Sequence, residues 1–444
     1  MRTSVSRAVR LGACAATAAL VTAGLATPAS AASDTLWIQA PSELTVLAAP
    51  AGGPKPAATT LALGLYHDNE RYRVTDGRLT VDVSGLAGVA DVTWPANCAP
   101  AGTTAVCTVP EIPTSATDQV VLGLHAADGA AAGASGRVTY SAKATSNGGG
   151  LTAPGGSETA VTIGSGPDLV LTGPAPVEGA RPGSTVPVPF TVVNRGNEAA
   201  QGVRVTLYAT RGLDLGTVAP QCTAAPAGEG PVAPVTKVDC AFPDVVAPGG
   251  SFALPAPLRA TVARYALNER VDITVEPGDG ATDLAPETNG AVAAVAAVNT
   301  ADFAVRGTRV SGAAGETVTA TLTFRNRGPA WIANLGSGDP VGLVDFVVPQ
   351  GATVTGVPEN CSGRTLSGGW YENGPAGAPR YVCNLPIWVA EKQTVTFPFQ
   401  LRIDTAGPRA TGAITLKPPY GAGPLPFDPN TANNQANLVL TPAA

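Results

Sequence analysis

The chain has 444 residues, 14% of them charged, with a formal net charge of −6. An acidic balance disfavours nucleic acid and anionic membranes as partners. Glycine (52) and proline (41) make up about a fifth of the chain, below the range of low-complexity sequences, and they punctuate short apolar segments as in an all-β protein.

Residues 1–31 read as a signal peptide. Arg2, Arg7 and Arg10 precede an apolar stretch from Leu11 to Gly24, and Ala29-Ser30-Ala31 is a small-x-small cleavage signature. The stretch is too short and too rich in Ala and Gly for a membrane span. Leu11-Gly12-Ala13-Cys14 looks like a lipoprotein box, but Arg10 stands directly before it and leaves no apolar segment ahead of the cut. Cleavage after Ala31 removes three arginines, no acid and Cys14, so the formal charge falls to −9 and six cysteines remain. No second segment of spanning length follows. The mature chain is expected to have no transmembrane segment and to be secreted, then released or held at the cell wall.

The rest divides into three units. Cys107-Thr108-Val109-Pro110, Cys240-Ala241-Phe242-Pro243 and Cys383-Asn384-Leu385-Pro386 share one pattern at spacings of 133 and 143 residues. Each follows a partner, Cys98, Cys222 and Cys361. A motif recurring with its own upstream cysteine marks an internal repeat. Residues 32–166, 167–299 and 300–444 are therefore expected to be three β-sandwich domains, each of about 130 residues and large enough for its own core. An even cysteine count in an exported chain implies disulfides, here Cys98–Cys107, Cys222–Cys240 and Cys361–Cys383. The short junctions, such as Gly164-Ser165-Gly166-Pro167, imply limited flexibility.

In the first unit His67-Asp68-Asn69 holds a place where the later units have Asn-x-Gly. In the second, Val186, Val188, Phe190 and Val192 alternate, interrupted by Pro187 and Pro189; Ala291 to Val298 is expected to be its last strand rather than a helix. In the third, Val318, Ala320, Leu322 and Phe324 alternate with threonines, as do Val395, Phe397, Phe399, Leu401 and Ile403 with polar residues. Residues two apart share a face, so each apolar set faces a core. Pro398 cannot donate to a ladder, which predicts an edge strand or a bulge there.

Asn194-Arg195-Gly196 and Asn326-Arg327-Gly328 each follow a long strand and suit a turn, since Asn and Gly tolerate positive φ. Asp428-Pro429-Asn430-Thr431-Ala432-Asn433-Asn434 precedes a final strand; the second unit ends differently, with Asn289-Gly290. A strand, Asn-x-Gly, a cysteine pair and a terminal Asn-rich motif resemble the conserved-repeat domains of bacterial surface proteins (the DUF-eleven-like type) and the related bacterial cell-adhesion repeats. The resemblance covers residue 168 onward. It implies tandem immunoglobulin-like sandwiches serving as a non-enzymatic extracellular spacer or adhesion module, and no cofactor.

Little in the sequence points to catalysis. The two histidines, His67 and His125, have no Gly-x-Ser-x-Gly elbow to work with, and zinc and phosphate-binding motifs are absent. Glu276, Asp279, Asp283 and Glu287 could offer oxygen ligands to calcium, but their spacing does not match an EF-hand and a solvated acidic turn is the plainer reading. An enzyme with unrecognised carboxylate chemistry is the third reading. Lys237 and Lys417 read as solvated strand residues rather than cross-link partners. The second reading is a binding module for a cell-wall polymer, glycan or surface protein. It rests on Trp370-Tyr371, inside the Cys361–Cys383 loop after Ser367-Gly368-Gly369. An exposed Trp370 would be a stacking platform; a buried one would pack on the disulfide or close the sandwich end.

Overall fold

The computed structural model describes residues 34–49, 56–147, 149–228, 232–405 and 407–442. The leader, with its cleavage site and Cys14, lies outside the described residues. Those residues contain no α-helix; three short 3₁₀ turns interrupt an all-β chain.

Three successive stretches each close two layers of sheet around a separate apolar core. The third shows the pattern most plainly. One layer runs Phe303–Arg306, Thr317–Asn326, Thr394–Ile403, Ala352–Gly356; the other runs Arg309–Gly312, Gln435–Pro442, Ala410–Lys417, Leu343–Val347, Arg380–Asn384, Cys361–Arg364. The alternation works as expected. Ala320, Leu322, Phe324, Phe397, Phe399, Leu401 and Ile403 are buried while Thr317, Thr319, Thr394 and Thr396 are exposed. Ala291 to Val298 likewise forms a strand, Gly290–Ala297.

Pro398 does not sit on an edge strand. Thr394–Ile403 is hydrogen-bonded on both sides, to Thr317–Asn326 and to Ala352–Gly356. The second ladder slips between Val354 and Gly356 and ends at Gln400. The proline therefore falls just beyond that ladder, where a missing N–H costs no strand pairing.

In every unit the first strand switches sheets. Its first half pairs antiparallel in one layer; its second half pairs parallel with the unit's last strand in the other, as Glu43–Leu47 does with Glu158–Gly164 and Arg309–Gly312 with Gln435–Pro442. The second unit alone has a broken layer. Around Pro187 and Pro189 the chain leaves the sheet between Thr185–Pro187 and Thr191–Asn194. Around Pro255 and Pro257 it does so again between Ser251–Ala253 and Arg259–Val262. The counterparts in the third unit, Thr317–Asn326 and Thr394–Ile403, run unbroken.

The Asn-x-Gly motif has a different physical basis from the one expected. Neither glycine has positive φ. The asparagine is a buried hub. Asn194 Oδ1 accepts from the Gly196 and Asp168 amides at 2.9 and 3.1 Å, while its Nδ2 donates to the Glu198 and Val246 carbonyls at 2.7 and 2.8 Å. Asn326 makes the equivalent four bonds. Glycine is required because the incoming chain passes directly over it. A Cβ on Gly196 would lie 2.2 Å from the Gly166 oxygen, and one on Gly328 would lie 2.4 Å from the Asp302 nitrogen. In the first unit His67 takes the asparagine's register position, opposite Leu36 as Asn194 is opposite Leu169. Buried His67 Nδ1 contacts Asp34 Oδ2 at 2.9 Å, and Asp34 Oδ1 accepts from the Asn69 amide.

The second unit's ending also matches the third more closely than its sequence suggests. Asp283 accepts from the Leu169 and Ala285 amides, as Asp428 does from Phe303 and Asn430. Both carboxyls are followed by a 3₁₀ turn and a buried asparagine, Asn289 or Asn434.

Candidate functional site

The aromatic loop joins Cys361–Arg364 to Arg380–Asn384, the outermost two strands of their sheet. Cys361 and Cys383 stand directly opposite in register and are bonded; so are Cys98 with Cys107 and Cys222 with Cys240. Each disulfide thus ties the edge strand of a sheet to its neighbour.

Beyond the disulfide the loop is held by short-range bonds. Thr365 N donates to Gly369 O at 2.8 Å and Gly368 N donates to Thr365 O at 2.9 Å. Gly368 has φ +98°, a conformation that disfavours any side chain. The tight turn brings Trp370 back beside Arg364, whose guanidinium carbon lies 3.5 Å from the ring centroid. That is close cation–π geometry. Trp370 is 70% exposed and Leu366 66% exposed. The ring does not pack on the disulfide.

Trp370 and Tyr371 point to different environments. Tyr371 is half-buried and packs against the core of the third unit. Its amide donates to Gly363 O. The indole is the surface feature, and the phenol anchors the loop from below.

A charge cluster supports the same loop. Arg380 donates to both oxygens of buried Asp345 and, through Nη1, to Leu366 O on the loop at 3.2 Å. Lys417 also contacts Asp345, so it is part of this cluster rather than simply solvated. Burial is the largest influence on Asp345 and pushes its pKa up. Hydrogen bonds and charge from Arg380 and Lys417 outweigh it and hold the carboxyl below its ordinary value.

The acidic stretch of the second unit does not gather into a site. Asp283 is committed to backbone amides, and Asp279 accepts from Ala281 N. Among the described residues no three His, Cys, Asp or Glu side chains converge to hold a metal ion. A cleft of about 610 Å³ lies where the second and third stretches meet, between Leu267, Trp331, Leu335, Pro418 and Phe427; its walls carry no carboxylate.

The junction beside that cleft was not legible in the sequence. Glu269 is buried and accepts from Thr210 Oγ1, the Gly212 and Leu267 amides, and Trp331 Nε1 at 2.6 Å. Arg211 donates two bonds to Glu391 at 2.6 and 2.9 Å and stacks 4.1 Å over the Tyr265 ring. The Arg211 bonds are the main cause of a lowered Glu391 pKa. The junction before the second stretch is lighter: Asn197 Nδ2 donates to Ala48 O at 2.9 Å and Ser165 Oγ to Glu198 at 2.6 Å.

No family model matches the chain, and no curated protein does. Solved structures similar to it include a protein from Corynebacterium diphtheriae described as membrane anchored. That match has 11% identity, covers 91% of both chains and has a TM-score of 0.18. The C-terminal domain of the Streptococcus pyogenes antigen I/II-family protein AspA matches at 11% identity over 62% of this chain and 99% of that one, TM-score 0.20. The complex of Dpr2 Ig1-Ig2 with DIP-Theta Ig1-Ig3 matches at 9% identity over 92% of this chain and 100% of that one, TM-score 0.24. These values carry no argument about function. No helix among the described residues is long and apolar enough to cross a membrane.

Proposed function

We propose that this is a secreted, non-enzymatic adhesion module of three immunoglobulin-like domains, residues 32–166, 167–299 and 300–444, left after removal of residues 1–31. Separate cores and a disulfide in each stretch support these boundaries. Disulfides favour an oxidising, extracellular setting. The contact surface is the Trp370 loop, and its partner is a cell-wall glycan. The first two domains then serve as a spacer behind it.

One observation carries the binding site: an indole 70% exposed on a loop that is closed by a disulfide and a tight glycine turn. Solvent exposure of so large an apolar ring is costly, and a pre-ordered loop loses little entropy on binding. A flat indole offers a stacking surface to the apolar face of a sugar ring. Retention of the purified mature chain on isolated cell walls and polysaccharides tests this. Trp370→Ala is expected to weaken retention by about 2 kcal/mol or more, the scale of a hot spot, with melting temperature unchanged. Unchanged retention with a lower melting temperature would leave Trp370 a structural residue and retire the loop as the contact surface.

A further inference from the structure

The broken layer of the second unit opens a cleft of about 320 Å³ into its sandwich. Its floor is the inner face of the large sheet at Val205, Leu207 and Val238, beside the Cys222–Cys240 disulfide. Its lip is the proline-rich segment from Leu254 to Leu258. The volume is at the lower end of the range for small-molecule pockets.

Comparison with the third unit shows why the space exists. Val205 stands opposite Cys240 and Val344 opposite Cys383, so Leu207 corresponds to Phe346 and Val238 to Tyr381. Val188 and Ala320 each precede the hub asparagine by the same interval. Val188 bonds to Leu258 and Ala320 pairs with Phe399, so Leu258 corresponds to Phe399. In the third unit these three aromatic rings pack on one another, with centroids 5.1 and 5.2 Å apart. In the second unit all three positions carry aliphatic side chains, and all three line the cleft. Two breaks in the covering strands coincide at one place with three aliphatic residues, Leu207 and Val238 on the floor and Leu258 in the covering layer. In the third unit the rings fill that place and are fully buried; in the second, Leu207 and Val238 are buried as well and only Leu258 is partly exposed.

The cleft is apolar except at its rim. There Arg259 is exposed and makes no ion pair among the described residues. Its guanidinium is free to hold a carboxylate in a bidentate pair. We propose that the cleft binds one unbranched acyl chain, with the tail along Leu254 and Leu258, above the buried Leu207 and Val238, and the carboxylate on Arg259. This inference is independent of the Trp370 reading, which concerns a different domain.

Titration of the mature chain with decanoate, followed by calorimetry and methyl NMR, tests it. Saturable binding is expected below the micellar range, with shifts centred on Leu207, Leu254 and Leu258. Val238→Tyr restores the third unit's residue and fills the space. It is expected to abolish binding while the melting temperature holds or rises; Leu258→Phe is the second filling variant should Val238→Tyr fail to fold. Arg259→Gln should weaken decanoate about tenfold and leave decanol unchanged, as expected for loss of one charge-assisted contact. The proposal is overturned by an absence of saturable binding, by shifts centred on Trp331, by undiminished binding in a folded filling variant, or by an Arg259→Gln protein that binds decanoate like the parent.

Discussion

Replacing Asn326 by alanine removes four hydrogen bonds at a fully buried site. The backbone groups it served cannot turn to water. The expected cost to the third unit is about 1–3 kcal/mol or somewhat more, read by denaturant titration. Gly328→Ala should also destabilise, through the close approach of Asp302 rather than through φ. A second residue-scale prediction concerns Asp345. Its folded-state pKa is depressed, so the native state binds fewer protons than the unfolded state between the two values. The resulting stabilisation is complete above the ordinary carboxylate pKa of roughly 4 and fades as pH falls through the depressed folded value. Asp345→Asn should therefore cost about 2 kcal/mol near neutrality, and the gap from the parent should close on acidification. Because Arg380 also bonds to Leu366, the same acidification should loosen the aromatic loop; the indole emission of Trp370 reports it.

At the scale of the element, each disulfide joins the outermost strand of a sheet to the next one in. An edge strand presents unpaired backbone groups and is the easiest strand to peel away. Loss of Cys361–Cys383 frees a loop of 22 residues, which in the chain-entropy model removes about 3 kcal/mol from the third unit. A Cys361→Ser, Cys383→Ser protein should show this loss in the third unit alone, by hydrogen exchange resolved along the chain, with the other two units unchanged. Strands of this kind were legible in the sequence because their information is local. Alternation at Val318 to Phe324 and the recurring cysteine pattern each lie within a few residues. The hub asparagines were visible as a motif, but their role was not, since their partners lie up to 64 residues away. The same holds for Tyr371, whose neighbour Trp370 looks chemically alike in sequence and points the other way. The second unit's terminal aspartate was missed because Asp283 and Asn289 keep the spacing of Asp428 and Asn434 while the residues between them differ.

At the scale of the whole molecule the two junctions are unequal. Glu269 and Trp331 meet across 62 residues of sequence, a pairing that no local pattern announces. With the Arg211–Glu391 pair, they should make the second and third domains tumble together, while the first reorients more freely about the lighter junction at Ser165 and Asn197. Residual dipolar couplings measured domain by domain check this: one shared alignment tensor for the last two domains, a different one for the first. Trp331→Phe combined with Glu391→Gln should separate the two tensors and expose the 298–301 link to proteases.

The sheet-switching first strand has a mechanical consequence. Because it runs parallel to the last strand of its domain, the chain enters at one pole and leaves at the other. Tension along a tethered chain would then load that ladder in shear, across all its bonds together, instead of unzipping it one bond at a time. The ladder has five register pairs in the first domain and four in the third, but in the second only two, separated by an irregularity. Pulled from its two ends, the middle domain should yield first and lengthen the chain while the third domain stays folded.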